Sequence, residues 1–280
     1  MEPSKNPITS KNVVLRLPGM DEVRVLRDLP CPSEGGGDLA VDLYLPAGVE
    51  EGERRPAVIL VLGYPDPGME RLFGLRFKDW GSSTSWARLL AVSGLIGVAY
   101  TNRRPEADLH RLLHHLRVSG PAWGIDPGRI ALLACSGHGP LALSALIDDR
   151  GEPSLRCAVL LYPYTLDEAG FTATAAAAAT FRFANPSEGK RTADLPGNIP
   201  ILLVRAGGDA MPGLNETLDR FAARARELGR PVSVMDHPSG PHAFDLDDDS
   251  EASRDAVRSA LEFLSKNLLG PKAGTGMVTG

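Results

Sequence analysis

Apolar and polar positions alternate between two periods along the chain. Near the start, Val13 to Leu17, Glu22 to Leu26 and Leu39 to Leu45 alternate as half-buried strands do, and Gly35-Gly36-Gly37-Asp38 between the last two predicts a hairpin turn. From Pro56 to Leu62 (PAVILVL) the run is almost wholly apolar, as a strand covered on both faces must be. The same pattern recurs at Leu95 to Tyr100, Ile130 to Ala134, Ala158 to Leu161 and Pro200 to Val204, with a last strand at Val232 to Met235. Between these runs the period lengthens to that of a helix at Ser83 to Ser93, Glu106 to Val118, Pro140 to Asp148 and Leu214 to Leu228, and again at Ser250 to Leu268. Strand alternating with helix implies right-handed crossovers, hence an α/β domain with a mostly parallel central sheet and helices on both faces.

That order predicts one domain over residues 12–268, after an N-terminal extension at 1–11 and before a flexible, Gly-rich tail at 269–280. The Ala-rich stretch FTATAAAAAT from Phe171 to Thr180 falls within 165–195, an expected small lid-like insertion made of a short helix and a loop. At 280 residues the length alone would allow one large domain or two small ones, since domains run to roughly 100–200 residues. Composition narrows the class of function. With 30 Lys and Arg against 35 Asp and Glu the net charge is −5, and the longest like-charge run is acidic, Asp247 to Asp249, so a nucleic-acid partner is not expected. No secretory leader and no long apolar run is visible, which predicts a soluble, cytoplasmic protein without a membrane partner. Three cysteines, Cys31, Cys135 and Cys157, form neither a disulfide framework nor a metal-finger spacing.

Chemistry in such sheets gathers beyond the carboxyl ends of the strands. The run Ile130 to Ala134 leads into Cys135-Ser136-Gly137-His138-Gly139 and then a helix, a strand-to-helix turn whose small residues would expose the Ser136 hydroxyl. After Pro200 to Val204 comes Gly207-Gly208-Asp209, a carboxylate at a strand end. After Val232 to Met235 comes Gly240-Pro241-His242-Ala243-Phe244. Serine, acid and histidine at three successive strand ends suit nucleophilic catalysis, with the imidazole as general base. After Pro56 to Leu62, the loop Gly63-Tyr64-Pro65-Asp66 offers backbone amides, and Pro65 has none to give.

These motifs resemble the α/β-hydrolase superfamily, in its dienelactone-hydrolase-like serine esterase branch. The turn at Ser136 resembles the G-x-S-x-G elbow, with Ala134 and His138 in the two glycine places, and Gly240 to Phe244 resembles a G-x-H-x-F segment. Gly124-Ile125-Asp126-Pro127-Gly128-Arg129-Ile130 resembles the family's approach to the nucleophile strand. The oxyanion loop is similar to a His-Gly-containing one, with Leu62 where histidine often stands. The resemblance implies the α/β-hydrolase fold without a large cap and a carboxylic ester hydrolase acting on a small-molecule ester. It implies Ser136, Asp209 and His242 as triad, the amides of Gly137 and Tyr64 as oxyanion hole, and Gly63, Cys135 and His138 as further substrate contacts. No metal or organic cofactor is implied. Oligomeric state stays open, a homodimer included.

Other readings stand beside this one. Dienelactone hydrolases proper use cysteine, which would shift the role to Cys135. A peptidase or acyltransferase would reuse the triad, and a binding protein on the same fold would keep the pocket without turnover, a reading that His138 at the elbow favours. Asp167 is the alternative acid and His237 the alternative base. His110, His114 and His115 are expected on a helix surface or in the core. Trp80, Trp86 and Phe73 are expected to pack in the core, and Asp245 to Asp249 is expected to be a solvated acidic turn.

Overall fold

The computed structural model describes residues 8–33, 36–50, 52–149, 154–168 and 170–270. Residues 1–7 of the expected extension, 271–280 of the expected tail and Gly35 of the expected hairpin turn lie outside the described residues. Eight strands make one sheet: β1 (Arg24–Cys31), β2 (Leu39–Leu45), β3 (Arg55–Leu60), β4 (Ile96–Tyr100), β5 (Ile125–Cys135), β6 (Leu155–Leu161), β7 (Ile201–Ala206) and β8 (Val232–His237). Their order is β1-β2-β4-β3-β5-β6-β7-β8. β2 pairs antiparallel with both β1 and β4, and every later pairing is parallel.

The uninterrupted apolar runs follow from helices on both faces. Ile59, Leu132, Leu160 and Leu203 point into one buried cluster. There they meet Leu112 and Leu116 of α3 (Pro105–Val118), Leu141 and Leu146 of α4 (Gly139–Asp148) and Phe221 of α6 (Leu214–Glu227). Their neighbours Val58, Leu133, Val159 and Val204 point the other way. On that side they meet Trp86 and Leu90 of α2 (Gly81–Val92) and Val257 and Leu264 of α8 (Glu251–Leu269). Because successive side chains alternate faces, a strand sandwiched like this must be apolar at every position. Among the described residues no helix is long and apolar enough to cross a membrane.

Two elements depart from the sequence reading. Val13 to Leu17 is not a strand: the segment runs irregularly over α2, with Val13 and Leu15 buried. Its amides are taken up outside the sheet, Val13 N–H by Ser85 Oγ at 2.9 Å and Val14 N–H by the Asp245 carbonyl at 2.8 Å. A chain draped over a core alternates for the same reason a strand does. The second departure is α1 (Asp66–Phe73), a helix where a loop was expected, entered from Pro65 and closed by Gly74 in the left-handed region at φ 76°. Its apolar residues Leu72 and Phe73 face solvent, so no core-facing stripe announces it. The remaining short helices are α5 (Ala173–Phe181), inside the 165–195 insertion, and α7 (Phe244–Asp247), just past His242.

Candidate active site

The carboxyl ends of β5, β7 and β8 bring three side chains together. At the end of β5 the backbone turns through Ser136, whose φ of 52° is one few side chains tolerate, into a single 3-10 turn and then α4. The turn is tied down because the Ser136 carbonyl accepts the Tyr164 N–H at 3.1 Å from the loop after β6. Five non-glycine residues among those described have positive φ, and of these Ser136, Tyr162, whose ring meets His242, and Ala243, next to His242, stand at this site. Such conformations cost about 1–3 kcal/mol each and persist where surrounding contacts enforce them.

Ser136 Oγ lies 3.0 Å from His242 Nε2, and His242 Nδ1 lies 2.6 Å from Asp209 Oδ2. The carboxylate is held from its other side, with Oδ1 accepting the Met211 N–H at 2.8 Å, and its side chain has no exposed surface. The loops carrying acid and base are zipped together. Gly207 N–H donates to the His237 carbonyl and Gly208 N–H to the Gly240 carbonyl, each at 2.9 Å. A Cβ at position 207 would stand 2.2 Å from the Pro238 carbonyl oxygen, so only glycine allows this approach.

The loop after β3 closes the site from the other side. Along it Leu62 N–H lies 3.5 Å from the Tyr100 hydroxyl, Gly63 N–H donates to His138 Nδ1 at 2.6 Å, and Asp66 N–H donates to the Asn102 carbonyl at 3.1 Å. Among the described residues the Tyr64 amide has no acceptor, and neither has the Gly137 amide at the head of the turn. Gly63 lies directly on the elbow, where an added Cβ would stand 2.9 Å from the Gly137 carbonyl oxygen. The insertion also touches this loop: Ala184 N–H donates to the Gly63 carbonyl at 2.8 Å, and the Phe183 ring rests on Gly137 and stacks on Tyr164.

The rival residues fall elsewhere. Burial pushes the Cys135 thiol up to about 12, far from a thiolate. Asp167 caps α5, accepting the amides of Thr174 and Ala175 at 3.0 and 2.9 Å. His237 is buried behind the His242 loop with Nε2 2.8 Å from Ser253 Oγ. His110 lies 3.6 Å from Asp148, and His115 packs its ring on Trp123. Trp80 and Trp86 are buried as expected, whereas Phe73 is 43% exposed while its ring touches Trp80 edge-on. His138 makes the unforeseen contact to Gly63 just described, and burial lowers its imidazole to about 4, so it stays neutral. A cavity of about 740 Å³ lies by Leu155, Leu195 and Ile199, and another of about 630 Å³ by Val23, Leu45 and Val92, neither lined by a residue of the Ser136 site.

Asp245 corrects the expected solvated acidic turn. It is 1% exposed, accepting the Tyr162 hydroxyl at 2.6 Å and the Trp86 indole N–H at 2.8 Å. The Tyr162 ring in turn stands edge-on to His242, centroids 4.9 Å apart, so this network underlies the imidazole. Burial holds the Asp245 carboxyl above its ordinary value despite both donors. The folded protein therefore keeps this proton to higher pH than the unfolded chain. Asp245 accordingly withdraws stability as pH rises from the ordinary carboxylate range through its raised value. Replacement by alanine is expected to remove that slope. It also leaves two buried donors unpaired at roughly 1–3 kcal/mol each, a loss that urea unfolding over a pH series would read.

No protein-family model matches the chain, and no curated protein matches its sequence. Solved structures do match. An esterase of Pyrobaculum calidifontis is 21% identical with a TM-score of 0.65, the match covering 88% of this chain and 87% of that one. A thermostable carboxylesterase cloned from a metagenomic library is 20% identical with a TM-score of 0.66, covering 91% and 92%. Vibralactone cyclase is 19% identical with a TM-score of 0.66, covering 90% and 82%. At such identities the likeness carries the architecture and does not reach the dienelactone-hydrolase branch suggested by the motifs. With its strand order, its antiparallel β2 and its strained turn after β5, the chain has the α/β-hydrolase fold.

Proposed function

We propose that the protein is a serine hydrolase of carboxylic esters working through an acyl-enzyme. The observation that carries this reading is the unbroken sequence from Ser136 Oγ through His242 to Asp209, beside two amides that have no acceptor among the described residues. His242 Nδ1–H donates to the Asp209 carboxylate, leaving Nε2 as the atom that takes the Ser136 proton as Oγ attacks the ester carbonyl. The carbonyl oxygen becomes an oxyanion between the Gly137 and Tyr64 amides. Its collapse expels the alcohol, which receives the proton from Nε2, and water activated by the same nitrogen then releases the acid. Within this class the resemblance of the Gly240 to Phe244 segment to G-x-H-x-F supports a dienelactone-hydrolase-like serine esterase. That several structural neighbours are esterases by name supports the ester as substrate.

The cysteine alternative is disfavoured by the buried, protonated thiol of Cys135 and by the imidazole's contact with Ser136 instead. The test is hydrolysis of p-nitrophenyl acetate and butyrate by the wild type, Ser136→Ala and Cys135→Ala, with labelling by a fluorophosphonate. Activity and labelling lost in the serine variant and kept in the cysteine variant are the expected result. Full activity in Ser136→Ala would overturn the proposal, and a wild type that neither turns over nor labels would favour the binding protein.

A further inference from the structure

The chain departs from the family pattern at Leu62, in the oxyanion loop, and at His138, in the elbow, and the structure brings the two departures to one place. His138 is 75 residues from Gly63 in sequence, yet its Nδ1 accepts the Gly63 N–H at 2.6 Å. The Tyr64 and Phe77 rings stand edge-on to the imidazole, with centroids 5.4 and 5.6 Å away. These contacts confine the ring. We propose that His138 is a positioning residue of the oxyanion hole, an acceptor on the elbow that engages the Gly63 amide and so leaves Tyr64 N–H as the loop's donor to the oxyanion.

The geometry gives the reason for an imidazole here. An oxyanion hole works only if its donors are aimed before the reaction, because reorientation during charge development costs the energy the hole should supply. The loop from Leu62 to Asp66 is held at its carbonyls by Asn102 Nδ2 on Leu62, at 3.2 Å, and by Ala184 N–H on Gly63, at 2.8 Å. Each carbonyl shares a planar peptide group with the next N–H, so those bonds already set the lines along which the Gly63 and Tyr64 amides point. Asn102 and Ala184 tie the loop to other segments, and Nδ1 of His138 is the contact that ties its Gly63 amide to the element carrying the nucleophile, so loop and serine share one frame. A neutral imidazole accepting at Nδ1 carries its proton on Nε2, and the low basicity of the buried ring preserves that form around neutral pH.

The inference rests on the serine-hydrolase reading, so its test has one arm that depends on turnover and one that does not. His138→Asn keeps an acceptor near the place of Nδ1, while His138→Ala removes it and His138→Phe fills the space without one. On p-nitrophenyl acetate, the alanine and phenylalanine variants are expected to lose kcat, by tenfold or more toward the roughly 10²–10³ that an entire oxyanion donor is worth, with KM little changed. The asparagine variant should recover most of that loss. In the second arm, amide hydrogen exchange across residues 62–66 should quicken at Gly63 in the alanine and phenylalanine variants and stay slow in the wild type and the asparagine variant. Equal losses in all three variants, or an unchanged kcat in His138→Phe, would reduce His138 to a space-filling residue. Gly63 exchange that ignores the acceptor overturns the proposal whatever the activity. A wild type without turnover or fluorophosphonate labelling would instead sink the serine-hydrolase reading and leave the exchange arm to decide the contact.

Discussion

Ser136→Ala is expected to lower kcat on an activated ester by about 10⁶-fold, the scale seen when a triad nucleophile is removed. The size follows from how the groups act together. Without Oγ there is no atom for Nε2 of His242 to deprotonate, and the Asp209 bond to Nδ1 orients a base with nothing to do. Adding His242→Ala should therefore cost almost nothing further, and that non-additivity separates a working triad from three residues that merely adjoin. What survives should be the contribution of binding and the oxyanion amides, on the order of 10³–10⁴ over water. Stability provides the internal control. Alanine bears the φ of 52° no better than serine, so the melting temperature should hold, whereas Ser136→Gly should be inactive and more stable by about 1 kcal/mol as the left-handed strain is relieved. Inactivity in both variants, with stability unchanged in alanine and raised in glycine, would tie the strain to the nucleophile's presentation.

How far the sequence could be read follows from the range over which each feature is specified. The apolar runs of β3 to β7 were legible because burial on both faces demands apolar residues, a local signature, whereas β8 at the sheet edge was legible only as a short run at Val232 to Met235. Ser136, Asp209 and His242 were legible by place, each in the loop after a strand and beside glycines that permit close approach. Val13 to Leu17 misled because alternation reports a buried face and not a ladder; the partners of its amides, Ser85 and the Asp245 carbonyl, come from far along the chain. Asp245 misled for a related reason. Its run of neighbouring acids reads as solvent-facing, and the donors that bury it, Trp86 and Tyr162, lie 159 and 83 residues away. The His138 contact to Gly63 belongs to the same class: the residue stood out, but its partner is set by the meeting of two strand ends.

Asp209→Asn is expected to lower kcat by about 10⁴-fold while the fold stays intact, the loss typical when a triad carboxylate becomes an amide. The hydrogen bonds around this residue determine which way the amide must face. Oδ1 is already committed to the Met211 N–H at 2.8 Å, so the amide oxygen of asparagine stays there and its NH₂ turns toward His242. A donor now faces Nδ1, which must become an acceptor, and the imidazole proton moves to Nε2. In that tautomer Nε2 presents a proton to Ser136 Oγ where a lone pair is needed, and general-base catalysis stops without displacement of any atom. The control is Asp167→Asn, the other acid the sequence offered. Because Asp167 accepts two first-turn amides of α5, its loss should cost about 0.5–2 kcal/mol of stability at most and leave kcat near wild type. Activity that tracks Asp167 instead of Asp209 would transfer the acid's role to the loop after β6 and undo the assignment built on Gly207-Gly208-Asp209.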